Sequence, residues 1–311
     1  MNKYPKPGWA ILLFFLLFIL GCQTKTADPR PTISFTFDDG SVRDMPGYPG
    51  AEWNQMILDN LQDHDLKAVF FVNGKNLQGE KGDQVLKAWN KAGHKIGNHT
   101  YSHPNFDGEI TLEEYKVEML KNDSIIRQYS NYYPYFRFPY LRRGNTIEKR
   151  DGFRQFLKEH NYRHGYVTAD GYDWYINDRL VDALKKDSAR DVSDFQEFYV
   201  LHNFQSAQFF DSLATAMQGR KIKHTMLLHH NLAAALFLDD LIAHFKAKGW
   251  EVIDAEEAFQ DEIFQSIPNE MPAGGDLIGS IAKEDKEFFK TLVYRNMGSE
   301  YLKTQMDSLK L

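Results

Sequence analysis

Two histidines four residues apart, His99 and His103 within the run His-Lys-Ile-Gly-Asn-His-Thr-Tyr-Ser-His from His94 to His103, have a spacing at which imidazoles share a divalent cation. Two nitrogen donors leave such an ion open-sided, and a hydrolytic zinc site usually adds a third protein ligand. The neighbouring carboxylates Asp38 and Asp39, in Thr-Phe-Asp-Asp-Gly, can supply it. Successive side chains on a strand point to opposite faces, so one aspartate can bind a metal while the other takes a proton from an attacking water. The chemistry open to this set is metal-assisted hydrolysis.

These groups need elements that hold them. Thr32–Phe37 alternates polar with β-branched and aromatic residues, which predicts a strand delivering Asp38 and Asp39 at its carboxyl end, with Gly40 turning the chain away. Lys95–Asn98 predicts a short strand leading into His99. Apolar runs place further strands at Ala68–Val72, Tyr135–Tyr140, Tyr162–Thr168, His224–His229 and Trp250–Asp254. Helical spacing marks Trp53–Leu66, Val85–Ala92, Leu112–Tyr129, Phe153–His160, Phe204–Met217 and Leu232–Lys248. Ser41–Trp53, with its prolines and glycines, reads as a long rim loop, and Ile176–Phe198 shows no clear pattern. Strands alternating with helices imply parallel pairing, hence an α/β fold, an irregular (β/α) barrel of about seven parallel strands over residues 31–262. The polar clusters fall at the carboxyl ends of strands, the face where barrel active sites form. Residues 263–311, with a helix expected over Lys283–Tyr294, read as a C-terminal extension packed on the barrel.

The run Thr36–Gly40, followed by His-Thr-x-x-His from His99 to His103, resembles the first two motifs of the polysaccharide deacetylases, carbohydrate esterase family four or NodB-homology family. The resemblance covers roughly Pro31 to Phe259 and implies a barrel of seven or eight strands. It implies that Asp39, His99 and His103 bind a divalent metal, most often zinc, and that Asp38 is the general base. It makes His229 the general acid, with strand alternation turning the adjacent His230 to the other face. It pairs Asp173 with His229, assigns Arg137 of Arg-Phe-Pro-Tyr to orienting the base, gives the Tyr140 backbone N–H to an oxyanion, and packs Trp174 beside the acid. His64, His94, His160, His164, His202, His224 and His244 match no such position and are assigned to structure or surface. The implied substrate is an acetylated polysaccharide, of peptidoglycan or chitin type, losing N-acetyl groups; O-acetyl xylan esterase activity and a non-catalytic glycan-binding lipoprotein are the alternatives. A glycosidase built on Asp38 and Asp39 is the disfavoured rival class, since sequence neighbours cannot flank a scissile bond from opposed faces; activity retained in a chelator would revive it.

Residues 1–21 carry Lys3 and Lys6 ahead of an apolar run, Trp9–Leu20, too short for a comfortable membrane span and typical of a secretory signal. The run ends Ile-Leu-Gly-Cys at Cys22, the chain's one cysteine, so no internal disulfide can form. This junction resembles a bacterial lipobox, implying acylation of Cys22, removal of residues 1–21, a tether over 22–30 and a membrane-held lipoprotein of the cell envelope with its domain outside the cytoplasm. A chain 42% hydrophobic and 26% charged is not mainly disordered. With a net charge of −6 and no basic patch, nucleic acid is not an expected partner, and no obligate protein partner is expected either.

Overall fold

The computed structural model describes residue 1, residues 30–293 and residues 298–311; the expected signal segment and Cys22 lie outside the described residues. Strand β1 (Thr32–Asp39) is the spine of the molecule. Its alternation divides two interiors. Phe35 and Phe37 turn towards the helices and meet Phe245 and Trp89 edge-on, whereas Ser34, Thr36 and Asp38 turn into the barrel. Burying hydroxyls is tolerable because they are satisfied: Ser34 Oγ donates to the His224 carbonyl at 2.9 Å and Thr36 Oγ1 to the Met226 carbonyl at 3.0 Å.

The chain continues through α1 (Gly50–Asp63), β2 (Val69–Val72), α2 (Gly79–Lys91), β3 (Lys95–Asn98), α3 (Leu112–Ile126), β4 (Tyr132–Phe136), α4 (Ile147–Glu159), β5 (Arg163–His164) and β6 (Ala169–Asp170). Then come α5 (Asp173–Lys186), α6 (Ser193–Gln218), β7 (Lys223–His229), α7 (Leu232–Ala247), β8 (Glu251–Val252) and α8 (Ala255–Ala258). The tail adds α9 (Leu277–Ala282), α10 (Lys286–Val293) and α11 (Ser299–Leu309). All strand pairs are parallel, in the order β5-β4-β3-β2-β1-β7-β6, with β8 beside the start of β1. The outermost strands β5 and β6 are joined by residues 165–168 alone, a link that spans no more than roughly 18 Å, so the sheet must curl until its edges approach. The result is the expected α/β barrel, left open as a half-barrel.

Four local expectations are corrected. The strand expected over Tyr135–Tyr140 ends at Phe136, because Pro139 has no N–H to donate and Pro139–Leu141 winds into a 3-10 turn. Tyr162–Thr168 yields a single two-residue strand, β5 at Arg163–His164; the chain leaves it at Gly165, where a Cβ would stand 2.5 Å from the Phe71 ring, and β6 starts beyond the span, at Ala169 on the opposite sheet edge. The rim loop is shorter than expected, since α1 already begins at Gly50. Ile176–Phe198 is largely helical, in α5 and the first turns of α6. The C-terminal extension does pack on the barrel and joins its main core through Leu277, Ile278, Leu302 and Met306. A second, aromatic core of Phe106, Tyr115, Phe136, Phe138 and Phe153 fixes α3 and α4 against β4. No described helix is long and apolar enough to cross a membrane.

Candidate active site

The ends of β1 and β3 lie one strand apart, and both leave the sheet through left-handed residues: Asp39 (φ 75), Thr100 (φ 63) and His103 (φ 61). Such backbone is disfavoured for L-residues and here is held by a buried amide hub. Asn98 Oδ1 accepts from the Thr100 N–H (2.9 Å) and from Asn122 Nδ2 (3.0 Å), while Asn98 Nδ2 donates to the Met119 carbonyl (3.0 Å). The Thr100 hydroxyl then accepts the His103 N–H at 3.1 Å. This places His103 Nε2 at 3.3 Å and His99 Nε2 at 3.6 Å from Asp39 Oδ1.

Those separations suit ligands around one ion, since donors about 2.0–2.1 Å from a tetrahedral zinc lie a little over 3 Å apart. Two further observations fit a cation. Asp39 Oδ1 is buried with no hydrogen-bond partner among the described residues, a costly state without a counter-charge. His99 Nδ1 meets the Arg137 carbonyl at 2.8 Å, so Nδ1 carries the proton and Nε2 presents its lone pair to the cluster. Burial, and then the neighbouring His103, hold His99 well below the ordinary imidazole range; burial also lowers His103 against the pull of Asp39. Both imidazoles are neutral and ready to ligate. Asp39, His99 and His103 form the metal-type cluster found among the described residues, and none of the seven spare histidines joins it.

On one flank stands Asp38, 2% exposed. Burial raises its carboxyl to about 6, with Arg137 opposing that rise. Arg137, wholly buried, reaches Asp38 Oδ1 and Thr36 Oγ1 with Nη1, each at 2.7 Å, and gives Nε to the Gly165 carbonyl at 2.8 Å. Its guanidinium lies 4.0 Å over the Phe71 ring, a flat seat that a lysine could not use in this way. Asp38 Oδ2 is left facing the cluster, 3.7 Å from His99 Nε2.

On the other flank stands His229, paired in register with Asp38 across β1 and β7. Asp173, buried at the first residue of α5, takes the His229 backbone N–H at 2.9 Å and Nδ1 at 2.6 Å, and accepts from Asn231 Nδ2 at 3.1 Å. Burial by itself would depress His229, but Asp173, followed by Asp39 and Asp38, outweighs it and lifts the imidazolium to about 10. With Nδ1 engaged, Nε2 is the nitrogen that can deliver a proton. His230 points away as expected: its Nδ1 accepts the Ser41 N–H (3.1 Å), its Nε2 faces Asn54 Oδ1 (2.8 Å), and burial pushes it down to about 3. Trp174 is part-exposed and, with Asp39 and His229, lines an open cavity of about 470 Å³. The exposed Tyr140 ring meets His103 edge-on at 4.5 Å, which brings the left-handed Tyr140 backbone (φ 55) to the cluster's rim.

Every residue singled out in the sequence for this chemistry, outside Cys22, is therefore at one site. The sequence reading missed Asn98, Asn122, Asn54 and Asn231, whose buried amides hold the loops. Their signal was faint: Asn98 is a polar residue inside a strand pattern, and Asn231 caps α7 by accepting the Ala234 N–H at 2.8 Å.

A family model described as polysaccharide deacetylase matches residues 25–164. A peptidoglycan-N-acetylglucosamine deacetylase of Bacillus cereus is 35% identical over 146 residues, 47% of each chain, so this chain spans about half of that relative. A second Bacillus cereus protein of the same description is 30% identical over 199 residues, 62% of this chain and 67% of its own. Among solved structures, a peptidoglycan N-acetylglucosamine deacetylase superposes with a TM-score of 0.50 at 26% identity, over 74% of this chain and 88% of that one. The chitin deacetylase of Colletotrichum lindemuthianum shares the fold, with a TM-score of 0.51 at 21% identity over 74% and 88%. The matched span holds both aspartates, both clustered histidines and Arg137, and the second Bacillus cereus relative is aligned over two thirds of its length: this chain belongs to the polysaccharide deacetylase family.

Proposed function

We propose that this chain is a metal-dependent deacetylase that hydrolyses N-acetyl groups of an aminosugar polysaccharide. One arrangement carries the reading: a three-ligand cluster with a proton acceptor held by arginine on one side and a proton donor held by aspartate on the other. Asp39, His99 and His103 would hold a divalent cation, zinc being the natural choice for two imidazoles and a carboxylate, and it would supply Lewis-acid polarisation of the acetyl carbonyl. Asp38 takes a proton from the attacking water, and Arg137 fixes the carboxylate that does so. The Tyr140 N–H faces the developing oxyanion. His229 protonates the departing nitrogen through Nε2, so that amine and acetate leave together, while Asp173 keeps the ring oriented. An amine leaves poorly unless protonated, and His229, held protonated beside Asp173, can supply that proton. A glycan-binding protein without turnover has no use for both proton pairs. The test is acetate release from a panel of acetylated glycans by the zinc-loaded protein. Release should cease on chelation and return with zinc; release that persists in chelator removes the metal from the mechanism.

The cavity wall bears on substrate class. Arg43 and Lys75 line it, are exposed, and have no ion-pair partner among the described residues. Their backbones are fixed: Trp53 Nε1 donates to the Arg43 carbonyl at 3.0 Å, and the Lys75 N–H donates to the Tyr101 carbonyl at 2.8 Å. Asp178 stands among the lining residues contributed by α5. Two preplaced cations favour an acid-bearing polymer, peptidoglycan ahead of neutral chitin. Replacing both Arg43 and Lys75 with alanine should raise KM about fivefold on peptidoglycan fragments, as two part-exposed charge contacts would give, and leave KM on chitin oligomers unchanged. Equal effects on both substrates would remove the preference. Acylation of Cys22 and an envelope location complete the proposal, tested by fatty-acid labelling of the parent beside Cys22→Ala.

A further inference from the structure

We propose that the C-terminal extension is a positioning element of the active site, clamping the turn that presents the Tyr140 N–H; the inference rests on the hydrolase reading above. The turn needs a clamp because Tyr140 (φ 55) and Leu141 (φ 53) are consecutive left-handed residues, a conformation that neither side chain favours.

The extension meets that turn through the backbone that follows Tyr140. The Gly275 N–H donates to the Leu141 carbonyl at 3.0 Å, the Arg143 N–H to the Ala273 carbonyl at 2.7 Å, and the Ala273 N–H to the Gly144 carbonyl at 3.0 Å. A short ladder thus ties Ala273–Gly275 to Leu141–Gly144. Arg143, 3% exposed, rivets it from within. Its Nη1 donates to the Gly275 carbonyl at 2.6 Å, and its Nη2 to Ser280 Oγ at 2.5 Å and to the Glu270 carboxylate. The Leu277 N–H, at 2.7 Å from the Val167 carbonyl, anchors the clamp to the link between β5 and β6. None of these extension residues lines the cavity shared by Asp39 and His229, so the extension acts on the site through the turn. The family model ends at residue 164, so Leu141–Gly144 lie within it and the extension residues that hold them lie outside it.

Glu270→Ala tests the assignment, because it removes the charge that Arg143 holds without touching a metal ligand or the cavity wall. Amide hydrogen exchange should accelerate about tenfold at Leu141 and Arg143, the yield of one charge-assisted hydrogen bond, and stay unchanged from His99 to His103, which the Asn98 hub holds. In the same variant kcat should fall about tenfold, with KM and zinc affinity held, and Glu270→Gln should recover part of the loss. Ser280→Ala, a milder cut in the same clamp, serves if Glu270→Ala does not fold. A faster-exchanging turn with parental kcat, or kcat, KM and zinc affinity falling together, would overturn the proposal. Exchange is read with or without turnover. A parent that releases no acetate from any glycan therefore defeats the hydrolase reading, whereas unchanged turn exchange defeats the clamp.

Discussion

Asp38→Asn is expected to lower kcat for acetate release about a thousandfold while KM and zinc affinity stay near the parent's. The carboxamide occupies the same volume, and its oxygen still accepts from Arg137 Nη1, now 2.7 Å from Asp38 Oδ1, but it has no basicity with which to take a proton. A stability cost comes with it. Arg137 is wholly buried, and weakening a buried ion pair costs about 3 kcal/mol, so the melting temperature should fall as well. The two effects are separable by measuring kcat on folded, zinc-loaded variant well below its melting point. Turnover at the parent's rate under those conditions would place the base elsewhere.

Asp173→Asn should cost about a hundredfold in kcat at neutral pH and shift the alkaline limb of the pH profile. His229 works as an acid only while protonated, and the Asp173 carboxylate is the main force that raises it to about 10 against burial. Without that charge, burial prevails and the imidazolium loses its proton at lower pH. The alkaline limb therefore moves to lower pH, by roughly one unit or more. A pH–kcat profile of the variant measures this directly. Loss of rate with an unmoved limb would mean that Asp173 orients the ring without controlling its proton.

The chemistry was legible in the sequence to the extent that it sits on short, local spacings. His99 and His103 share one turn and Asp38 adjoins Asp39, so residue type and interval were enough to suggest a cation and a base. Arg137, Asp173 and His229 carried no such interval, and only resemblance to a family linked them. Helix α5 went unread because two of its inward positions are polar. Asp173 is buried against His229, and Asn177 is buried with its Oδ1 accepting the Ala233 N–H at 3.2 Å, which interrupts the apolar stripe of Ile176, Leu180 and Leu184. The overlong strand at Tyr135–Tyr140 failed for another reason. Pro139 has no N–H to donate and the chain winds into a 3-10 turn, while Arg137, just past the strand, is buried and stacked on Phe71, for which Gly97 and Gly165 leave room. Pairings across such distances are settled by tertiary contacts, which no local window contains.

The closing turn of β7 carries a lesson about phase. His229 and His230 are identical in composition and adjacent in the chain, yet one is raised to about 10 in the cavity and the other is pressed to about 3 between Phe70 and Trp53. Only the parity of the pleat tells them apart. A single residue inserted between Lys223 and Leu228 would set Leu228 opposite Asp38 and push His229 into the apolar station of His230, leaving no imidazole beside Asp173. In this fold, counting along β7 decides which imidazole faces Asp38 and Asp173.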